Sequence, residues 1–443
     1  MAVMHTFRAW AYLQLATTYG KVPFYTHFLG SLADAQAVMQ QPRQDIQTIC
    51  NFLIDDLQPF VSTYELDYGV IDGYDSKRFF IPVRVMLGEL CLWAGRYYES
   101  AQYYHDYLAD IDHPRPTGKD RVYWLPDVPT SNYVNGYSSI FLSVDPDESL
   151  VIIPMEINPF YGTITYLYDI YKSTSDNDYY YQLTWSEGNV ELSANQAYYY
   201  EYVENNRVQD TVCMSTDSVK GIYDDRKMHG DLRLMTLCSH VAVGTGSKYN
   251  DTFQEIRKHS GTFTITLYRL TTIYLHYAEA LNRAGFPAAA FAVLKYGLSP
   301  DTANNRNEGD PVPGYERENA GTLLSFRMQD FNRNNTQGIH SRGCGDAYAN
   351  PEYVLPMPAT ALSSAADTIA FQQPWVEDRI VDELALETCF EGLRFYDLLR
   401  VALRRNDPAY LADRIALRTG SKAPDEALRA RLMDPQNWYL PLP

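Results

Sequence analysis

The sequence predicts a mainly α fold in which helical hairpins form a scaffold for long irregular loops and a few short strands. Three observations predict it. Apolar residues recur at helical spacing at the start of the chain, in its middle and near its end. A helix, a Gly turn and a second helix occur twice with the same internal spacing. Two intervening regions lose that period and fill with Pro, Asn, Asp, Ser and Tyr.

The first helix is read from Phe7-Arg8-Ala9-Trp10-Ala11-Tyr12-Leu13-Gln14-Leu15-Ala16, which runs to Tyr19-Gly20 before Val22-Pro23. Gly followed by Pro is a helix stop. Ile46, Ile49, Cys50, Leu53, Ile54 and Leu57 keep spacings of three and four and predict an amphipathic helix that ends before Pro59. Gly88-Glu89 followed by Ala94-Gly95 is echoed by Ala278-Glu279 followed by Ala284-Gly285. A small residue admits a second helix and Gly makes the turn, which is the mechanics of a tetratricopeptide-type hairpin. Helix pairs are expected at about 76–110 and 265–297, and a last helix at about 376–405, with the apolar tail Trp438-Tyr439-Leu440-Pro441-Leu442-Pro443 packed. The helical scaffold is therefore about 1–110, 262–298 and 376–405 of a single domain spanning 1–443. Residues 111–261 and 299–375 are the loop-rich, ligand-binding part, with β-branched runs at Leu150-Val151-Ile152-Ile153 and Gly261-Thr262-Phe263-Thr264-Ile265.

Composition narrows the function. In 443 residues, 37 are basic and 55 acidic, a formal charge of -18 that excludes a phosphate-backbone partner. No apolar stretch is long enough to span a bilayer, and Met1-Ala2-Val3-Met4-His5-Thr6 is not a signal peptide. Six cysteines lack any paired C-x-x-C spacing; Cys50, Cys91 and Cys389 fall in apolar helical patterns as buried free thiols. Glu383, Glu387 and Glu391 form a carboxylate ridge, read as salt-bridged along its own helix to Arg394 and Arg400 rather than as a hydrolase pair. His276 and Glu279 are read as a packed or solvated helix face rather than metal ligands, and Asp145-Pro146-Asp147-Glu148 and Asp176-Asn177-Asp178 as solvated turns. No cofactor motif is found.

The 37 Tyr suit surfaces for sugars or peptides, because each ring stacks and keeps a hydroxyl. Loops bring such rings together in three segments, giving as candidate ligand-binding residues Asn158 and Tyr161, Tyr180 with Trp185, and Arg342, Asp346 and Tyr348. Gly and Asn permit tight turns that push neighbours outward, and Arg342 and Asp346 add a donor and an acceptor.

Five ordered segments carry a resemblance. Glu387-Thr388-Cys389-Phe390-Glu391-Gly392-Leu393-Arg394-Phe395-Tyr396-Asp397-Leu398-Leu399-Arg400 fills every position of E-x-x-F-E-G-x-R-x-x-D-L-x-R. With it come the block from Arg8 to Phe24, Gly230-Asp231-Leu232-Arg233, Tyr274 to Asn282, and the ending Tyr439-Leu440-Pro441-Leu442-Pro443. Together they resemble the SusD-like (SusD/RagB) family of Bacteroidetes. The resemblance implies a non-catalytic, lipid-anchored protein on the extracellular face of the outer membrane, which binds oligosaccharide or peptide and passes it to a TonB-dependent, SusC-like transporter. Glycan is the commoner ligand in that family, and oligopeptide the alternative. The family's lipoprotein signal and N-terminal segment precede the first helix, so the present chain is expected to be an N-terminal truncation lacking the anchor. Gly392 is expected to mark a close backbone approach within the signature helix. Two rivals stand beside this reading: a tetratricopeptide-type protein-interaction scaffold and an extracellular glycosidase.

Overall fold

The computed structural model describes residues 1–63, 65–116, 122–124, 133–142, 144–155, 167–171, 183–204, 207–214, 230–242, 252–259, 264–298, 312–327, 331, 337–358, 364–419 and 423–442. Helix α1 (Ala2–Tyr19) buries Ala9, Tyr12, Leu13 and Ala16 and stops at Gly20, whose positive φ of 73° closes the helix through its N–H on the Ala16 carbonyl. Tyr439 of the tail lies against Gly20, where a Cβ would come within 3.0 Å of its ring, and the Leu440 N–H donates to Thr18. The first and last sequence blocks thus meet. After α2 (Leu32–Met39), α3 (Ile46–Leu57) buries Ile49, Cys50, Leu53, Ile54 and Leu57, the face its spacing predicts, and Asp45 caps it by accepting from Thr48.

The repeated pattern yields two helical hairpins, α4 (Val83–Trp93) with α5 (Tyr97–Leu108) and, beyond α6 (Glu187–Ala194), α7 (Leu270–Arg283) with α8 (Pro287–Lys295). Their turns match bond for bond. Ala94 N–H donates to Leu90, Gly95 to Leu92 and Arg96 to Cys91; Ala284, Gly285 and Phe286 donate to Ala280, Asn282 and Leu281. Both turn glycines hold positive φ. Gly88 admits the Tyr104 ring of α5, since any Cβ there would lie 2.7 Å from it. Glu316, at the start of α9 (Gly314–Ala320), is buried and accepts from the N–H groups of Ala288 and Ala289, capping α8.

The C-terminal part differs from expectation. The single helix read at 376–405 is two, α10 (Ala365–Glu387) and α11 (Arg394–Arg405), followed by α12 (Pro408–Ala416) and α13 (Glu426–Leu432). Helix α10 begins upstream of Pro374, because Ser364 caps it and Pro374 is accommodated inside it. It ends because Phe390 and Gly392 take positive φ, 67° and 79°. Gly392 therefore serves a left-handed turn; a Cβ there meets nothing within 4 Å, so close approach is not its reason.

The run expected at 150–153 forms the strand Ser149–Ile153. Its antiparallel partner is Ile265–Arg269, read as the start of a helix, which begins instead at Leu270, while 261–263 of the second expected run lie outside the described residues. The loop-rich part also holds hairpins at Tyr198–Glu204 with Arg207–Met214 and Cys238–Ala242 with Thr252–Ile256. It has its own small core, which includes Tyr137, Ile140, Trp185, Val190, Tyr198 and Leu237. The main core joins α1, α3, α4, α5, α7 and α8, and a third closes α11 to α13 over Trp438. Among the described residues no helix is long and apolar enough to cross a bilayer.

Candidate ligand-binding site

The signature at the end of α10 builds a buried ionic hub rather than an intrahelical ridge. Glu387 is fully buried and receives Arg233, Arg269 and Arg342 at 2.8, 2.9 and 3.0 Å. Arg233 also holds Asp231 at 2.7 Å and Glu383 at 2.5 Å; Arg269 holds Glu148 at 2.8 Å and Glu391 at 2.7 Å; Arg342 holds Glu148 at 2.8 Å. Lys258 pairs with Glu391 at 2.5 Å and donates to the carbonyls of Glu387 and Cys389, which the helix break leaves open. His340 Nδ1–H donates to Glu383. Burial opposes charge on Glu387, but Arg342, Arg269 and Arg233 outweigh it and hold the carboxyl far below its ordinary range. Burial likewise opposes charge on Glu383 and Glu391, which Arg233 and His340, and Arg269 and Lys258, nevertheless keep ionised. None of these three carboxyls offers a proton for acid catalysis.

The remaining signature residues anchor the hairpins. Arg400 takes Glu279 of α7 at 2.7 Å and Asp397 at 2.8 Å. The echoed glutamate of α4, Glu89, accepts from Tyr104 at 2.7 Å and pairs with His276 at 2.5 Å, whose other nitrogen lies 3.6 Å from Asp397. His276 and Glu279 thus serve different partners, and among the described residues no His, Cys, Asp and Glu grouping is arranged to hold a metal. Arg394 donates to the Val381 carbonyl instead of pairing along the ridge.

The predicted site residues fare differently. Asn158, Tyr161 and Tyr180 lie outside the described residues. Trp185 is buried in the core of the loop-rich part. Arg342, 1% exposed, is spent on Glu148 and Glu387, a correction to its expected outward role; Asp346 is also turned in, at 9%. The reason is the glycines beside them, which here let neighbouring segments approach closely. A Cβ on Gly343 would strike the Asp231 carboxylate and one on Gly345 the Tyr199 carbonyl. Leu232 N–H accordingly donates to the Gly343 carbonyl and Asp346 N–H to Tyr199. Only Tyr348 of the described candidates is exposed, at 48%. Glu148, read as part of a solvated acidic turn, and Lys258 and Arg269 escaped sequence reasoning, because nothing local marks a side chain whose partner lies more than a hundred residues away. Arg233, within the matched Gly230-to-Arg233 segment, was the available signal.

The mainly helical scaffold of paired helices that carries this hub has a SusD-like fold. Among solved structures, a SusD-like carbohydrate-binding protein from Bacteroides fragilis matches with a TM-score of 0.52 at 14% identity, over 92% of this chain and 68% of its own. That similarity establishes the fold. A second SusD-like protein from the same organism matches at 0.48 and 14% identity, over 91% and 68%. Surface glycan-binding protein A from Bacteroides thetaiotaomicron, solved with laminarihexaose, matches at 0.42 and 14% identity, over 99% and 78%. No family model and no curated protein matches the chain.

Proposed function

We propose that this protein is a non-catalytic binder of extracellular oligosaccharide, held at the outer face of the outer membrane and serving a TonB-dependent, SusC-like transporter. The observation that carries the reading is the SusD-like fold, in which the hub fixes the loop segments to the helical scaffold while Tyr348 stays open to solvent beside the clamped turn of Gly343 to Asp346. A rigid support under an exposed ring suits capture by stacking, since little ordering entropy is lost on binding. The ionised state of Glu383, Glu387 and Glu391 supports binding without turnover over the glycosidase alternative.

Calorimetry against a panel of neutral oligosaccharides, with a peptide mixture as a parallel arm, tests the reading. At least one glycan is expected to bind, Tyr348→Ala to weaken it about tenfold in keeping with loss of a stacking ring, and no reducing sugar to be released. Retention of peptides alone converts the proposal to an oligopeptide binder; silence in both arms overturns it. Recovery of a TonB-dependent barrel with the tagged protein from native membranes tests the partner.

A further inference from the structure

A cavity of about 750 Å³ opens between the close of α1, the α4–α5 turn, α11 and the tail. Its size is that of small-molecule sites, roughly 300–1,000 Å³. Trp93, Tyr97 and Tyr439 line it, each half-buried, and each is braced by a group of the protein. Arg400 sits over the Trp93 ring at 5.3 Å, Arg283 and Arg404 over Tyr97 at 5.4 and 5.9 Å, and Gly20 against Tyr439. Braced rings at a cavity wall are stacking platforms.

The cations give the site its second chemistry. Arg283, Arg400 and Arg404 line the cavity, whereas Glu279, Glu377 and Asp397, the carboxylates that hold them, do not; the acidic residue on the lining is Asp45, whose carboxylate accepts from the Thr48 N–H. Arg400 and Arg404 bond through Nε and Nη2, and neither has a hydrogen bond at Nη1 among the described residues. The Arg283 side chain has no solvent exposure and is spent within the wall, on Glu377 through Nε at 3.0 Å and on Glu279 through Nη2 at 2.9 Å. The Arg404 side chain is 27% exposed, so its Nη1 can donate to an entering anion. Lys21, exposed at the rim, adds a further cation.

We propose that this cavity is a second binding site for a saccharide bearing a carboxylate or sulfate group, its ring stacked on the aromatic wall and its anion facing Arg404 and Lys21. The saccharide half of this assignment rests on the proposed function; the anion half rests on the cavity alone. Charge selectivity in a chain of net charge -18 requires such a local cationic wall.

The test is calorimetry on the present chain with trigalacturonate, a sulfated disaccharide, uncharged maltotriose and sodium acetate, in low and high salt. At least one acidic saccharide is expected to bind about tenfold or more tighter than maltotriose and acetate, and added salt to weaken it; which of the two binds identifies the anion. Arg404→Gln is expected to weaken that ligand about tenfold, and Lys21→Gln, at an exposed rim position that tolerates change, about threefold. Both variants should leave the response of any neutral glycan to Tyr348→Ala unchanged. Equal affinity for acidic and neutral saccharides, equal affinity for acetate, or indifference to both substitutions overturns the site. Acidic-saccharide binding abolished by Tyr348→Ala but not by Arg404→Gln overturns it while leaving the proposed function standing. Acidic binding that survives Tyr348→Ala, with neutral glycans and peptides silent, does the reverse.

Discussion

Three guanidinium groups converge on the one buried carboxylate of Glu387. Removing its charge strands cations rather than merely losing contacts. Glu387→Gln is therefore expected to lower unfolding free energy by about 3–5 kcal/mol in urea titration. Arg342→Ala and Trp185→Ala should also destabilise by several kcal/mol, roughly 3–5 each, one by orphaning carboxylates and the other by opening a core cavity. Tyr348→Ala, at an exposed position, should stay within about 0.5 kcal/mol of the parent. This contrast separates residues that the sequence grouped as one candidate site. Gly392→Ala should cost about 1–2 kcal/mol from its positive φ, with no added steric penalty because the space beside it is open.

Between elements, α4, α7 and α11 are joined by Glu89, His276 and Asp397, and this junction carries a pH signature. Burial alone would lower the His276 pKa, but Glu89 and Asp397 raise it from an ordinary 6.5 to about 9. A histidine whose folded pKa lies above its unfolded value stabilises fully below pH 6.5, and that contribution is lost as pH rises through 9. The melting temperature is expected to fall between pH 6.5 and 9, and His276→Gln to remove that slope; a parent profile identical to the variant's across this window would contradict the assignment. The hairpins themselves were legible because Gly88, Gly95 and Gly285 mark them locally. The end of α10 was not, because residues 387–391 keep helical spacing and only their distant partners, Lys258 and Arg269, favour the open turn.

At the scale of the whole molecule, one helical core and a smaller core under the loops are bridged by ion pairs rather than by disulfides. Cys50, Cys91, Cys238, Cys344 and Cys389 are free and buried, and burial pushes the Cys91 thiol up to about 12 and Cys50 higher still. These five thiols should react with Ellman's reagent only on unfolding, and a reductant should leave the urea midpoint unchanged. Rapid reaction of more than one of the six cysteines in the native protein would contradict the packing described.

The sequence by itself determined the helical class, the two hairpins, the α3 face and the packed tail, since each is written in residues a few positions apart: Gly at turns and apolar side chains at spacings of three and four. It also carried the resemblance whose fold the structure shares. Only the tertiary structure decided that Arg342 and Asp346 turn inward, that Glu148 joins a hub, and that Trp93, Tyr97 and Tyr439 share a cavity. Those outcomes depend on charges and rings from opposite ends of the chain, whose burial becomes favourable only when all the partners arrive together.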